Sequence, residues 1–338
     1  MIQISRPRTR MRTAAASSLA AAAILLAGCG SGVVGDTADA DVETTTIENC
    51  GRDVVVDGAP EAAVGMHPAQ TELMLRLGLA DRLVGQAQAA AQALPDDVAP
   101  LAEDVPVLGD VAPPSREDLL AVEPDFVYSP TTYEFSADQG FASLEQLDAV
   151  DAAVYVASGG CHERRMTGEV ADLFTDLENL GKIFGVEEEA AQLIDDSRAD
   201  LDGVAEAVAD VEPLRVAQVY YEGGTLQAIG AGVEYDMLQL AGADNVYGPD
   251  QAAFADFFAA TITPEALAAE APDALVFSTY DDAHEAATRE YLSTTFPDMP
   301  AVQDDRLIAV SSSDVFPGTL GNIAVVQKVA QGLYPEAF

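Results

Sequence analysis

Basic side chains are scarce in this sequence. Its 338 residues carry 16 Lys and Arg against 57 Asp and Glu, a formal net charge of −41. No patch able to neutralise a phosphate backbone can be assembled from so few cations, which excludes nucleic acid as a partner. Tryptophan is absent and histidine occurs three times, as His67, His162 and His284. The three lie in separate segments without metal-ligand spacing, so no metal site is assigned. There is no P-loop, no Gly-x-Ser-x-Gly elbow and no His-Glu-x-x-His. Ser312 and Asp314 have no histidine close in sequence, and no catalytic residue is assigned. Long apolar runs are missing too. The longest, Ala14 to Leu26, falls short of the roughly 20 residues that cross a bilayer.

That run has another meaning. Arg6, Arg8, Arg10 and Arg12 precede it, and Leu26-Ala27-Gly28-Cys29 closes it. A basic start, an apolar stretch and small residues define a secretory signal, here residues 1–28. The Leu-Ala-Gly-Cys ending resembles the bacterial lipobox, which makes Cys29 the expected lipidated first residue of the mature chain. Residues 29–45, rich in Gly, Ala, Asp and Thr, read as a flexible acidic tether. The expected location is therefore extracytoplasmic, anchored by lipid to the outer face of the cell membrane. Removing residues 1–28 takes away four arginines and no acid. That leaves twelve basic side chains against 57 acidic ones, a net charge of −45.

With Cys29 assigned to lipid, Cys50 and Cys161 remain. An even pair in an oxidising compartment reads as one disulfide, two buried thiols being the alternative.

From Glu187 to Val211, Ala190, Ile194, Ser197, Leu201, Val204, Val208 and Val211 recur at alternating steps of four and three, one face of a long helix. The chain before it echoes the chain after it. Residues 115–129 (SREDLLAVEPDFVYS) and 263–277 (TPEALAAEAPDALVF) both read as capped helix, Pro-Asp, strand, with Glu117 matching Glu265, Pro124 matching Pro272 and Asp125 matching Asp273. A weaker echo joins 72–85 (ELMLRLGLADRLVG) to 236–248 (DMLQLAGADNVYG). The spacing predicts an α/β protein of two Rossmann-like lobes, 46–186 and 212–338, joined by the helix 187–211.

Strands are expected over 62–66, 83–85, 126–129, 153–157, 216–221, 275–278 and 307–310, with an extended edge segment over 45–56. Helices are expected from His67 to Leu77, from Ser115 to Pro124, over 141–147, 167–184, 235–241 and 261–269, and from about Asn322. Ligands of such folds sit at the carboxyl ends of strands. The aromatic residues near those ends are Tyr128, Tyr133 and Phe135 in the first lobe, and Tyr220, Tyr221, Tyr235, Tyr280 and Phe316 in the second. His67 opens a helix directly after a strand. Singly, each is as consistent with a core position as with a cleft. As a set they favour an aromatic cleft between the lobes for a bulky organic ligand.

The lipobox, VGMHPAQTELMLRLGLADRLVG, SREDLLAVEPDFVYS, the joining helix, AGADNVYG, TPEALAAEAPDALVF and AVQDDRLIAVSSS together resemble the class III substrate-binding proteins of ABC importers, which carry ferric siderophores, cobalamin or haem. ENCGR and YVASGGC resemble an actinobacterial branch. The resemblance covers about residue 47 onward. It implies two lobes that barely flex, a small-molecule ligand between them, no permanently bound cofactor and a monomer that meets a permease dimer. It also implies one docking glutamate on each lobe, eight residues before the Pro-Asp aspartate, which here means Glu117 and Glu265. The acidic balance and the few arginines near strand ends favour a neutral or cationic ferric hydroxamate. A corrinoid, haem or deazaflavin-type precursor is the alternative, haem requiring an axial ligand such as His67 or a second-lobe tyrosine. An extracytoplasmic enzyme would need a triad or metal centre that the sequence does not display, and a sensor lipoprotein would share every feature above.

Overall fold

The computed structural model describes residues 44–338; Cys29 and the signal lie outside the described residues. The segment 45–56 is a hairpin rather than one edge strand. β1 (Thr44–Asn49) and β2 (Arg52–Asp57) pair antiparallel through a two-residue turn. Cys50 and Gly51 adopt φ of 50° and 69° in that turn, the left-handed pair such tight hairpins use. The hairpin is fastened to the first lobe. Cys50 is disulfide-bonded to Cys161. The Asn49 amide donates to Val156 O at 2.8 Å and accepts from Val156 N at 2.9 Å, and Arg52 donates to Val154 O at 2.8 Å.

The first lobe continues through β3 (Ala63–Gly65), α1 (Pro68–Arg76), β4 (Leu83–Ala87), β5 (Val107–Gly109), α2 (Arg116–Ala121), β6 (Phe126–Ser129), α3 (Leu144–Asp148) and β7 (Ala153–Val156). Its five strands form a parallel sheet in the order β5-β4-β3-β6-β7. Strands such as β6 are buried on both faces and read Phe-Val-Tyr-Ser without polar alternation, as parallel sheets covered by helices require.

Two helices carry the chain across. α4 (Asp172–Phe184) begins five residues later than the periodicity predicts. The stretch before it is pinned as turns: Glu169 N donates to the Asp172 carboxylate, which Arg164 also grips. α5 (Glu187–Val208) is the long helix. It spans about 33 Å for 22 residues at the usual rise of about 1.5 Å per residue. It ends three residues before Val211, close to Pro213, which disfavours helix in the residue before it. Ala190, Ile194, Ser197 and Val204 are its buried face. Gly181 of α4 lets the two helices meet: a Cβ there would lie 2.9 Å from the Ala190 Cβ.

The second lobe comprises β8 (Arg215–Glu222), β9 (Thr225–Ile229), α6 (Gly232–Leu240), β10 (Asp244–Asn245), β11 (Ala259–Thr261), α7 (Pro264–Glu270), β12 (Ala274–Thr279), α8 (Asp282–Thr295), α9 (Pro300–Gln303), β13 (Leu307–Ser311) and α10 (Gly321–Leu333). Its sheet runs β11-β9-β8-β12-β13, with β10 pairing with the start of β8. β10-β8-β12-β13 is the counterpart of β4-β3-β6-β7. The antiparallel strands β9 and β11 have no counterpart in the first lobe, and neither they nor α8 follow from the sequence pattern.

The duplication reaches single atoms. Ser115 caps α2 by accepting from Asp118 N, and Thr263 caps α7 by accepting from Ala266 N. Asp125 accepts from the amides of Glu61 and Ala62, and Asp273 accepts from the amide of Arg215. In each lobe, therefore, the Pro-Asp carboxylate clamps the start of the neighbouring strand. Glu123 and Ala271, each just before the proline, both sit in the left-handed region at φ 48° and 45°.

One buried apolar cluster links the lobes. It passes from Leu73 and Phe126 through Leu177 of α4 and Ile194 of α5 to Met237 and Val326. The lobes thus share a core on the helix side. No helix among the described residues is long and apolar enough to cross a membrane.

Candidate functional site

A cavity of about 560 Å³ opens between the lobes, within the range of small-molecule sites. The first lobe contributes Thr131, Thr132, Tyr133 and Ser136 from the loop after β6, and Gly159, Gly160, His162 and Arg165 from the loop after β7. The second contributes Ala231 to Glu234 at the start of α6, Phe257 and Phe258 before β11, and Val315, Phe316 and Pro317 after β13. The parallel strands deliver these loops from their carboxyl ends, where α/β folds place ligands.

Close packing shapes the walls. A Cβ on Gly160 would fall 1.8 Å from Pro130 O, and one on Gly232 would fall 2.6 Å from Arg165 O. Gly232 has φ of 73°, a conformation that suits glycine. Its amide donates to Met166 O across the lobe boundary at 3.2 Å. Val170 N donates to the Asp236 carboxylate at 2.8 Å, again from lobe to lobe.

The cavity floor is tied as well. Tyr128 Oη donates to Gly318 O at 3.1 Å, and Gln70 Nε2 donates to Pro317 O at 3.1 Å and to Gly318 O at 3.3 Å. Gln92 Oε1 accepts from Ser313 N at 3.0 Å and from the Ser311 hydroxyl. Beneath the tyrosine, Asp176 accepts from Tyr155 Oη at 2.8 Å and from the Ser158 hydroxyl at 2.6 Å. Burial pushes the Asp176 carboxyl up to about 7.

Two predicted cleft residues, Tyr133 and Phe316, line the cavity. The other seven are placed elsewhere. His67 is buried behind Phe316, with ring centroids 4.5 Å apart. It caps α1 by accepting from Ala69 N, and burial holds its imidazole down to about 4. Tyr128 is wholly buried as a floor strut, and Phe135 packs in the first-lobe core with Met66 and Leu119. β8 does not end at a ligand-facing loop but turns at Gly223-Gly224 into β9. Tyr221 is therefore stacked on Tyr291 at 3.7 Å, and Tyr220 meets the His284 ring edge-on. Tyr280 stacks on His284 at 4.1 Å. Tyr235 lies along α6 beside Gly248. His284 belongs to α8, not to a loop, and its Nε2 meets Tyr221 O.

The sequence reading missed Arg165, Glu234, Phe257 and Phe258. The Arg165 guanidinium lies 5.2 Å from the Phe257 ring centroid and donates to Asp256 O at 3.3 Å. Glu234 receives a hydrogen bond from Gln218 Nε2. Burial pushes its carboxyl up to about 8. Gly230-Ala231-Gly232 was the available signal for this wall, because small residues between a strand and a helix mark close backbone approach. Among the described residues, the one grouping with metal-ligand proximity is Cys50, Cys161 and Glu163, and its sulfurs are already joined to each other. Glu117 and Glu265 are exposed, each at the second position of its capped helix, and neither lines the cavity.

This architecture, two α/β lobes on a helical spine with a cavity at their strand ends, is that of a binding protein. Residues 64–313 match the periplasmic binding protein family, and the chain belongs to it. It is 25% identical over 331 residues to an uncharacterized ABC transporter substrate-binding lipoprotein, YvrC, of Bacillus subtilis strain 168, covering 95% of this chain and 97% of that one. A periplasmic binding protein from Veillonella parvula superposes with a TM-score of 0.76 at 25% identity, covering 86% of this chain and 98% of the other. A Saccharomonospora viridis protein described as an ABC-type Fe3+-hydroxamate transport system superposes with a TM-score of 0.68 at 24% identity, with coverages of 86% and 98%.

Proposed function

We propose that this protein captures a ferric hydroxamate siderophore outside the membrane and delivers it to an ABC permease. The observation that carries this reading is the cavity itself. Its volume suits a bulky organic complex, its walls carry four aromatic side chains, Tyr133, Phe257, Phe258 and Phe316, and Arg165 is its one obligate cation, already held by Phe257 and Asp256. An anionic catecholate complex would need several free cations there. The Saccharomonospora viridis likeness, which shows the fold, is in keeping with the hydroxamate class. The axial ligands expected for haem are not on the wall, since His67 is a buried helix cap and none of the second-lobe tyrosines lines the cavity; His162 and Tyr133, which do line it, are the side chains that would have to take that role.

Cys29 carries the lipid anchor, and Glu117 and Glu265 meet arginines on the permease. Matched anchors on duplicated lobes suit a two-fold symmetric partner, and a monomer provides one of each. Native mass spectrometry of the purified protein against ferric hydroxamates, ferric catecholates, corrinoids and haem tests the ligand class. A one-to-one complex with the hydroxamates is expected, and retention of a catecholate or haem instead would overturn the reading.

A further inference from the structure

Glu234 is the one carboxyl group on the cavity wall. It stands third in α6, where the weaker internal echo aligns it with Gln70 in α1. The two have opposite situations. Gln70 is fully buried and spent on the ties to Pro317 and Gly318. Glu234 makes no bond across the cleft. Its carboxyl takes one hydrogen bond, from Gln218, and no basic side chain among the described residues forms an ion pair with it. Gln218 is itself 2% exposed and its amide oxygen is buried without a partner. Glu234 is half-buried; a carboxyl held partly out of water without a counter-charge is costly to ionise, and the group that relieves that cost is a cation arriving in the cavity.

Resting on the hydroxamate reading above, we propose that Glu234 anchors a primary ammonium group of the ligand, so that the cavity selects cationic ferric hydroxamates over neutral ones. The ammonium nitrogen donates to the Glu234 carboxylate, which the buried Gln218 amide holds from behind. Arg165 does not compete for the carboxylate, being held on the Phe257 ring and by Asp256 O. The first turn of a helix also favours an ionised acid, which keeps the charged form within reach.

A proton balance follows. The empty site holds Glu234 protonated at neutral pH, burial having raised it to about 8. Binding an ammonium ionises it, and one proton leaves to solvent. Affinity for a cationic ligand therefore rises with pH up to about 8 and levels above it. The other titratable or charged groups on the cavity wall are His162 and Arg165 after β7 and Tyr133 after β6. The walls at Phe257–Phe258 and Val315–Pro317 contribute none.

The test uses the whole protein and two probes: a linear ferric trihydroxamate ending in a free amine, and the same complex N-acetylated. Titration calorimetry at pH 7 in two buffers of different ionisation enthalpy reads affinity and proton release together. The expected results are about tenfold tighter binding of the amine, about one proton released with it and none with the acetylated probe. In Glu234→Gln both probes should bind within about twofold of each other with no proton release. Equal affinities in the wild type, or a preference that survives in Glu234→Gln, would overturn the assignment while leaving the hydroxamate reading intact. Failure of both probes to bind the wild type would sink the hydroxamate reading and the inference with it.

Discussion

Gly318 is where the rigidity of this fold can be tested most directly. It belongs to the loop after β13 but packs into the first lobe. Its φ is 69°, and a Cβ there would lie 2.5 Å from the Ala157 Cβ and 2.7 Å from Tyr128 Oη. Gly318→Ala therefore carries two costs. An L-residue in the left-handed region loses about 1–2 kcal/mol. Inserting a methyl into a packed contact adds about 1–3 kcal/mol. The sum is about 2–5 kcal/mol, and the second part falls on the ties from Tyr128 and Gln70 that hold the lobes together. Gly223→Ala is the control, since Gly223 has φ of 58° and nothing within 4 Å of a built Cβ. It should show the backbone cost alone. Urea unfolding of both variants gives the difference, and small-angle scattering should show Gly318→Ala more extended than the wild type. If the two variants are equally destabilised, the loop is not clamped between the lobes. The lobes would then be free to move against each other at this loop.

Other outcomes follow from the same contacts. Replacing Cys50 and Cys161 with serine opens a loop closed over a sequence separation of 111 residues and should cost about 5 kcal/mol in the chain-entropy model; a loss below about 1 kcal/mol in urea unfolding would contradict it. Ala271→Gly relieves the left-handed strain at φ 45° and should stabilise by about 1 kcal/mol, where a loss would show that the Ala271 methyl packs usefully. Asp176, Asp314 and Glu234 are raised to about 7, 6 and 8 by burial. The folded chain keeps their protons after the unfolded chain has released its own, so their contribution is fullest near pH 4 and is lost as pH rises to 8. His67, lowered to about 4, opposes this only below its ordinary value near 6.5. Denaturation at constant ionic strength should find the protein more stable at pH 6 than at pH 8, and the reverse order would refute the burial argument. The double change Glu117→Ala, Glu265→Ala should leave melting and ligand affinity nearly intact while reducing uptake, and a collapse of affinity would move those acids into the pocket.

The frame of the molecule was largely legible. Ser115, Thr263 and the two Pro-Asp pairs are local signals, because capping and proline geometry act over a few residues. They located α2, α7, β6 and β12 closely. The period of Glu187–Val208 was equally plain, since one helix face packs on α4 and α10 while the rest meets water. The site was less legible. Tyr128 follows a strand pattern, but whether a strand-end tyrosine faces a cavity or props its floor depends on a loop 190 residues away. Tyr220 and Tyr221 depended on whether Gly223-Gly224 was a ligand loop or a hairpin turn, and both glycines have the positive φ a turn needs.

The part that duplication does not explain is also the part that forms much of the ligand wall. Where β3 leads straight into α1, β8 turns back through β9 before α6 begins. β11 pairs with β9, so Phe257 and Phe258 arrive beside the start of α6 through strands that the first lobe lacks. The clamp aspartates and the spine helix are symmetric, or span the symmetry, because they serve the frame and what the frame docks against. The ligand has no such symmetry. Its wall is built where the two halves diverge: Gln70 became a tie between lobes, and its counterpart Glu234 was left facing the cavity. A comparison of the halves thus separates residues that hold the lobes from residues that read the ligand. On that basis, exchanging Gln70 should loosen the fold, and exchanging Glu234 should change what is bound.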